Sequence, residues 1–237
     1  ALMYHDFTRA ETGSQFKMPA ALFEKQMAYL AENGYKTVTP SQLAAAARGE
    51  AALPARPVML TFDDWYPSQH ELALPVLDKL GQKGDFFVIT KKVRSEAEKR
   101  KLAEMAGNGH VIGSHTVNHY YLTKTHCKRA SNGCCRPTAP CGEDDIRREL
   151  ADSKKELEEI LGAPVTAFAW PGNYYNERAV DLALAAGYET VFAVERQVRE
   201  DGVLVGTVGV TRDLGTIHRV EIGGRCGMDL FPLSLVD

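Results

Sequence analysis

The chain has 237 residues, 44% of them hydrophobic, enough for one sizeable core. The formal net charge is −3, with acids and bases interspersed, so there is no electrostatic case for nucleic acid or an anionic membrane surface as partner. No apolar run approaches the length of a membrane span.

The chain opens on Ala1-Leu2-Met3-Tyr4, with no initiator methionine and no signal-peptide pattern, as expected of a mature or trimmed fragment. Short apolar, β-prone runs then alternate with amphipathic helical patterns. The strands expected are Leu2 to His5, Thr37 to Val38, Val58 to Phe62, Phe86 to Ile89, Val111 to Ile112, Val165 to Trp170, Thr190 to Ala193 and Val208 to Thr211. A helix is expected over 19–32, with Leu22, Phe23, Met27 and Leu30 on one face and Asn33-Gly34 ending it. Further helices are expected over 67–80, 143–161 and 176–186, each followed by glycine. Alternation at this spacing predicts an α/β fold with a parallel sheet, and seven or eight such units would close a barrel. An open doubly wound sheet gives a similar pattern, but its dinucleotide version needs a G-x-G-x-x-G turn, and none is present. One domain over 1–237 is expected, with a Cys-rich loop at about 124–142.

Polar residues gather where the predicted strands end. Tyr4-His5-Asp6 closes the first, and a histidine there could act as a general acid. Asp63-Asp64 follows Val58 to Phe62. Two adjacent carboxylates repel unless a positive charge sits nearby, which a divalent cation would supply. Consecutive residues at a strand end point to opposite sides, so one carboxylate can bind metal while the other faces substrate. An Asx turn or helix N-cap is the alternative for this pair. His115 and His119 follow Val111-Ile112-Gly113-Ser114. Four residues apart, they suit two ligands on one ion, and with a carboxylate they make a divalent site with positions left for water. Zinc is the default metal; cobalt, nickel and iron also fit such donors.

The third cluster runs Phe168-Ala169-Trp170-Pro171-Gly172-Asn173-Tyr174-Tyr175. It suits a sugar-binding wall with a backbone amide for an oxyanion, while Trp170 is as readily a core residue in a strand-to-helix turn. Four cysteines, Cys127, Cys134, Cys135 and Cys141, crowd one irregular segment, and Cys226 stands apart. Two disulfides would suit an exported protein. A zinc clip competes, without a C-x-x-C pair to support it.

Together these residues resemble the NodB-homology polysaccharide deacetylases, carbohydrate esterase family 4. Thr61-Phe62-Asp63-Asp64 is similar to that family's T-F-D-D motif, which implies Asp63 as base and Asp64 as metal ligand. Ser114-His115 through His119 is similar to its S-H-[ST]-x-x-H motif, which implies both histidines as ligands. Ala169-Trp170-Pro171-Gly172 resembles the third motif without its usual arginine. Met3-Tyr4-His5 resembles the N-terminal M-Y-H segment of the circularly permuted poly-β-1,6-N-acetylglucosamine deacetylases. That match implies a permuted, distorted barrel of about seven strands with His5 as acid. Trp65 stands where the family usually has glycine, so the turn differs or Trp65 is a substrate platform. Tyr66, Trp170, Gly172 and Tyr174 complete the implied substrate and oxyanion contacts. The resemblance covers residues 1 to 193 and leaves the tail unmatched.

The function implied is metal-assisted removal of N-acetyl groups from a glycan polymer. Poly-β-1,6-N-acetylglucosamine, a biofilm exopolysaccharide, is the favoured substrate. Peptidoglycan, chitin oligomers and a non-catalytic carbohydrate-binding role are the alternatives. An extracellular, periplasmic or cell-surface location would go with such a partner.

Overall fold

The computed structural model describes residues 1–123, 141–194, 197–198, 204–205, 216–228 and 231–235. Seven strands form a closed barrel: β1 (Leu2–Tyr4), β2 (Leu60–Asp63), β3 (Asp85–Val88), β4 (Val111–Ser114), β5 (Ala167–Ala169), β6 (Thr190–Val194) and β7 (Ile217–Glu221). Their order around it is β1-β7-β6-β5-β4-β3-β2. β1 runs parallel to β2, with Leu2 opposite Leu60 and Tyr4 opposite Phe62, and parallel to β7, with Leu2 opposite Val220. β5 is parallel to both β4 and β6. The parallel seven-strand barrel expected from the sequence is therefore present, with helices α1 (Ala20–Glu32), α2 (Pro40–Ala47), α3 (Leu74–Lys79), α4 (Glu96–Gly107), α5 (Glu143–Leu161) and α6 (Glu177–Ala185) along the chain. The strands are short and buried on both faces, as parallel barrel strands must be; every residue of β2, β3 and β5 is buried.

The chain groups into two compact units. One comprises residues 1–86 with the described residues of 194–209 and 218–237. Its core is aromatic: Phe62 stacks on Phe86 at 4.6 Å and on Tyr4 at 5.5 Å, and Phe23 of α1 meets Phe7 edge-on at 4.9 Å. α1 buries Phe23, Gln26, Met27 and Leu30, the face its 3.6-residue periodicity predicts save that Gln26 replaces Leu22. The helix expected over 67–80 starts at Pro67 as expected, widens to a π-turn over Gln69–Ala73 and continues as α3. Pro75 explains the widening. It has no N–H to give to the carbonyl four residues back, and Leu74 N–H bonds to Gln69 O five back. α2 was not anticipated, although its capping box is plain in the sequence: Thr39 accepts from Gln42 N–H, Gln42 Oε1 accepts from Thr39 N–H at 2.8 Å, and Pro40 takes the first turn.

The second unit comprises residues 87–193 and the described residues of 210–217. α5 buries Ile146, Leu150 and Leu157 along one stripe, together with two polar residues, Glu149 and Ser153. α4, also unanticipated, is capped by Ser95, whose hydroxyl accepts from Glu98 N–H. The strand expected at Val165 to Trp170 is shorter, Ala167–Ala169. The one expected at Val208 to Thr211 lies outside the described residues, as do Cys127, Cys134 and Cys135. β4 has no room for a side chain at Gly113. A Cβ there would stand 2.6 Å from the Phe87 ring and 3.0 Å from Ala167 O. Gly113→Ala is expected to destabilise the protein by about 1–3 kcal/mol, the cost of overpacking a filled core. Urea unfolding followed by circular dichroism measures it; an unshifted midpoint would show that the strands yield.

Candidate active site

In a parallel barrel the carboxyl ends of the strands carry the chemistry. Here β1 is followed by His5, β2 ends on Asp63 with Asp64 after it, β4 is followed by His115, and β5 by Trp170.

In the first unit Asp63 and Asp64 are both buried. Arg219 of β7 closes a bidentate pair on Asp63, Nη1 to Oδ1 at 2.6 Å and Nη2 to Oδ2 at 2.7 Å, with both side chains almost fully buried. This fork-on-fork contact compensates the Asp63 charge and fixes its carboxylate plane. Arg219 also donates to Thr61 Oγ1, whose hydroxyl bonds to Leu2 O at 3.0 Å. Gln69, in the π-turn, donates from one amide nitrogen to the carbonyls of both His5 (2.9 Å) and Asp63 (2.5 Å), which pins the ends of β1 and β2 together. The Tyr66 phenol hydrogen-bonds to Asp64; burial and then that carboxylate's charge push its pKa well above the ordinary value. The Asp63-Asp64 pair is thus no helix N-cap.

Trp65 keeps the left-handed backbone that a glycine would take, φ 55, following Asp64 at φ 78. The turn is the glycine-type turn despite the indole, and Trp65 is only 3% exposed. It is packed into the protein rather than offered as an open platform. His5 is half-buried. Its Nδ1 lies 3.9 Å from Glu221 Oε1, and Gln15 Nε2 holds the other Glu221 oxygen at 3.0 Å.

In the second unit His115 is buried and its Nδ1 is 2.7 Å from Ala169 O. A carbonyl can only accept, so Nδ1 carries the proton and Nε2 is left as a lone-pair donor, the usual arrangement for a metal-binding histidine. The His115 and His119 rings lie 4.9 Å apart. The loop between them is gathered by one buried carboxylate: Glu149 of α5 accepts from Val117 N–H and Asn118 N–H, each at 2.9 Å, and from the Asn118 amide at 2.6 Å. Thr116 and His119 both take positive φ, and Thr116 Oγ1 accepts from His119 N–H at 2.9 Å.

The third cluster divides. Trp170 is buried, edge-on to Phe168 and stacked on Tyr175, and Nε1 has no hydrogen-bond partner among the described residues. Gly172 and Tyr174 are half-exposed, and Tyr121 packs on both: its ring is 5.0 Å from that of Tyr174, and a Cβ on Gly172 would stand 2.4 Å from it.

One ligand atom from each of Asp64, His115 and His119 lies within 4.8 Å of the others. Two imidazoles and one carboxylate, one imidazole with its tautomer already fixed, form a donor set that fits a divalent transition metal. The set expected as metal ligands is brought together.

The polysaccharide deacetylase family model matches residues 50–191. The chain belongs to the polysaccharide deacetylase family. Membership makes it a polysaccharide N-deacetylase with the NodB-like barrel, from a family of metal-dependent hydrolases whose donor set the Asp64, His115 and His119 cluster fits. It is 29% identical to the YxkH protein of Bacillus subtilis over 93% of this chain and 70% of that one. It is 26% identical to a poly-β-1,6-N-acetyl-D-glucosamine N-deacetylase of Escherichia coli over 82% of this chain, but it spans only 34% of that protein's length. Among solved structures, a Streptococcus pyogenes deacetylase in complex with acetate superposes with a TM-score of 0.81 at 22% identity, covering 100% of this chain and 97% of that one. At that identity the likeness is one of fold.

Sequence reasoning missed Arg219, Glu221, Gln69 and Glu149. The signal for β7 was present only as Val220 and Ile222, two apart before Gly223-Gly224, and the buried arginine between Ile217 and Val220 disguises the strand. Arg219→Ala is expected to cost about 3–5 kcal/mol, because it leaves Asp63 buried without its counter-charge. Denaturant titration checks this, and a loss under 1 kcal/mol would mean that solvent reaches Asp63.

Proposed function

We propose that this protein hydrolyses N-acetyl groups of poly-β-1,6-N-acetylglucosamine, with Asp63 as general base and His5 as general acid. The observation that carries the reading is the convergence of Asp64, His115 and His119 directly beside a second, arginine-clamped carboxylate. The substrate rests on the Escherichia coli relative and on the N-terminal Met3-Tyr4-His5 segment, which also supports a permuted barrel. A location outside the cytoplasm would go with a polymeric glycan substrate, and paired cysteines in the Cys-rich segment would be stable there.

A divalent ion held by Asp64, His115 and His119 would supply Lewis acidity, easing deprotonation of water and polarising the acetyl carbonyl. Asp63 accepts the proton of the attacking water through the lone pairs that Arg219 leaves open. Arg219 holds that carboxylate in one plane and keeps its charge balanced while no substrate is present. The oxyanion that forms on the acetyl carbon takes a hydrogen bond from a backbone N–H, at Tyr66 or Gly172. His5, with Glu221 Oε1 3.9 Å from its Nδ1, gives a proton to the amide nitrogen as the C–N bond breaks. The products are acetate and a free amine.

Wild-type protein loaded with zinc, cobalt, nickel or iron is expected to release acetate from an acetylated β-1,6-glucosamine pentamer, read by mass spectrometry. Peptidoglycan fragments and chitin oligomers form separate arms, and faster release from either reassigns the substrate. Asp63→Asn keeps an acceptor for Arg219 and is expected to lower turnover roughly 10²–10⁴-fold. Its metal content, measured by elemental analysis, should stay at the wild-type level. His115→Ala is expected to lose the metal. Wild-type turnover in Asp63→Asn would end the assignment of the base.

A further inference from the structure

Among the described residues Phe16 is the most exposed large hydrophobic side chain, at 55%. It sits in the turn between two short paired strands, Asp6–Thr8 and Lys17–Pro19. Its ring meets the His5 imidazole edge-to-face, with centroids 5.6 Å apart and planes at 82°. An edge contact of this kind uses only part of the ring and leaves the rest to solvent.

The turn that carries Phe16 is held firmly from below. Gly223 and Gly224 lie directly against it: a Cβ at Gly223 would fall 1.7 Å from Gln15 O, and one at Gly224 2.6 Å from both Thr12 O and Lys17 O. Gly224 N–H donates to Ser14 O and Lys17 O, Arg225 Nε donates to Gly13 O at 2.7 Å, and Asp6 N–H donates to Phe16 O at 3.0 Å. The Gln15 side chain, next to Phe16, bonds Glu221, the carboxylate that faces His5. An apolar ring is thus mounted on a braced turn, beside the proposed acid, and is 55% exposed among the described residues. Exposed aromatic surface in such a place costs solubility and contributes nothing to the core.

We infer that Phe16 is a substrate-binding residue, a stacking platform for the apolar C–H face of a pyranose ring next to the acetamide being cleaved. The inference rests on the deacetylase reading above and deepens it, since it assigns a contact to the polymer rather than to the acetyl group. An aromatic face gives a neutral sugar both apolar contact and a fixed ring plane, and the braced turn lets it do so with little ordering cost. Contact with His5 places that sugar within reach of the group that protonates the amine.

The test compares wild-type, Phe16→Leu, Phe16→Ala and Phe16→Trp proteins, each metal-loaded, on the acetylated β-1,6-glucosamine pentamer. Loss of the flat face in Phe16→Leu and Phe16→Ala should raise KM about tenfold, while kcat moves far less. Phe16→Trp should restore a KM near the wild-type value, which recovery of folding alone would not do. Melting temperatures of all four show whether the turn survives. A KM within twofold of wild type in Phe16→Leu overturns the inference and leaves the deacetylase reading standing. So does a fall in kcat without a change in KM, which would mean that Phe16 acts only on His5. Failure of the wild-type protein to release acetate from any arm overturns both.

Discussion

Two carboxylates on consecutive residues, both buried at the end of one strand, are the constraint around which the rest of the site is arranged. Asp63 and Asp64 cannot both be charged in a low-dielectric setting unless each has its own compensation. The two are compensated by different means. Asp63 takes a permanent partner, the Arg219 guanidinium, locked in bidentate contact. Asp64 takes a phenol from Tyr66 and joins two imidazoles, a set that an exchangeable cation completes. The strand ends at Asp63 and the chain turns at Asp64, φ 78, and the neighbouring carboxylates face different partners. A covalent neighbour pair thereby becomes two chemically distinct groups, one suited to hold a cation and one to take a proton.

Backbone strain concentrates at the same places. Among the described residues the non-glycine positions with positive φ are Asp64, Trp65, Thr116, His119 and Asn173. All five follow β2, β4 or β5, and two of them are proposed metal ligands. Each costs on the order of 1–3 kcal/mol, which the surroundings must offset. The offsets are visible. Glu149 draws three donors of the His115–His119 loop onto one carboxylate, Thr116 Oγ1 holds His119 N–H, and burial of the Trp65 indole anchors the turn after Asp64. The His115 to His119 loop is thus held by contacts within its own unit.

The sequence was most legible where local chemistry and tertiary role coincide. The Thr61-Phe62-Asp63-Asp64 and His115 to His119 clusters could be read because each combines a strand end with donor residues in a short span. The helix over 143–161 announced itself through its apolar stripe. Arg219, Glu149 and Gln69 were illegible for the opposite reason. Each is a polar residue buried by contacts 156, 31 to 32 and 64 residues away, respectively, and no local pattern encodes those partners. Trp65 was ambiguous by residue type alone. Its backbone follows the glycine preference of the family, and its side chain follows the preference of tryptophan for burial.

β7 is the strand that links the two proton-transfer groups of the proposed reaction. Arg219 and Glu221 are two residues apart on it and so point to the same face. Arg219 grips Asp63, and Glu221 stands 3.9 Å from His5. The β1 register, Leu2 opposite Val220 and Met3 opposite Glu221, brings His5 past the end of the pairing and beside that carboxylate. A slip of β7 by one residue would turn both charges to the other face, leaving Asp63 buried without a cation and His5 without a nearby carboxylate. The register of this one strand therefore sets the surroundings of the proposed base and the proposed acid together. Its register is also held beyond the barrel, where the close fit of Gly223 and Gly224 against the turn at Thr12–Lys17 leaves no freedom to slide. The glycine pair after β7 and the charges within it are thus parts of one device, which fixes the proposed acid and base to a common frame before substrate arrives.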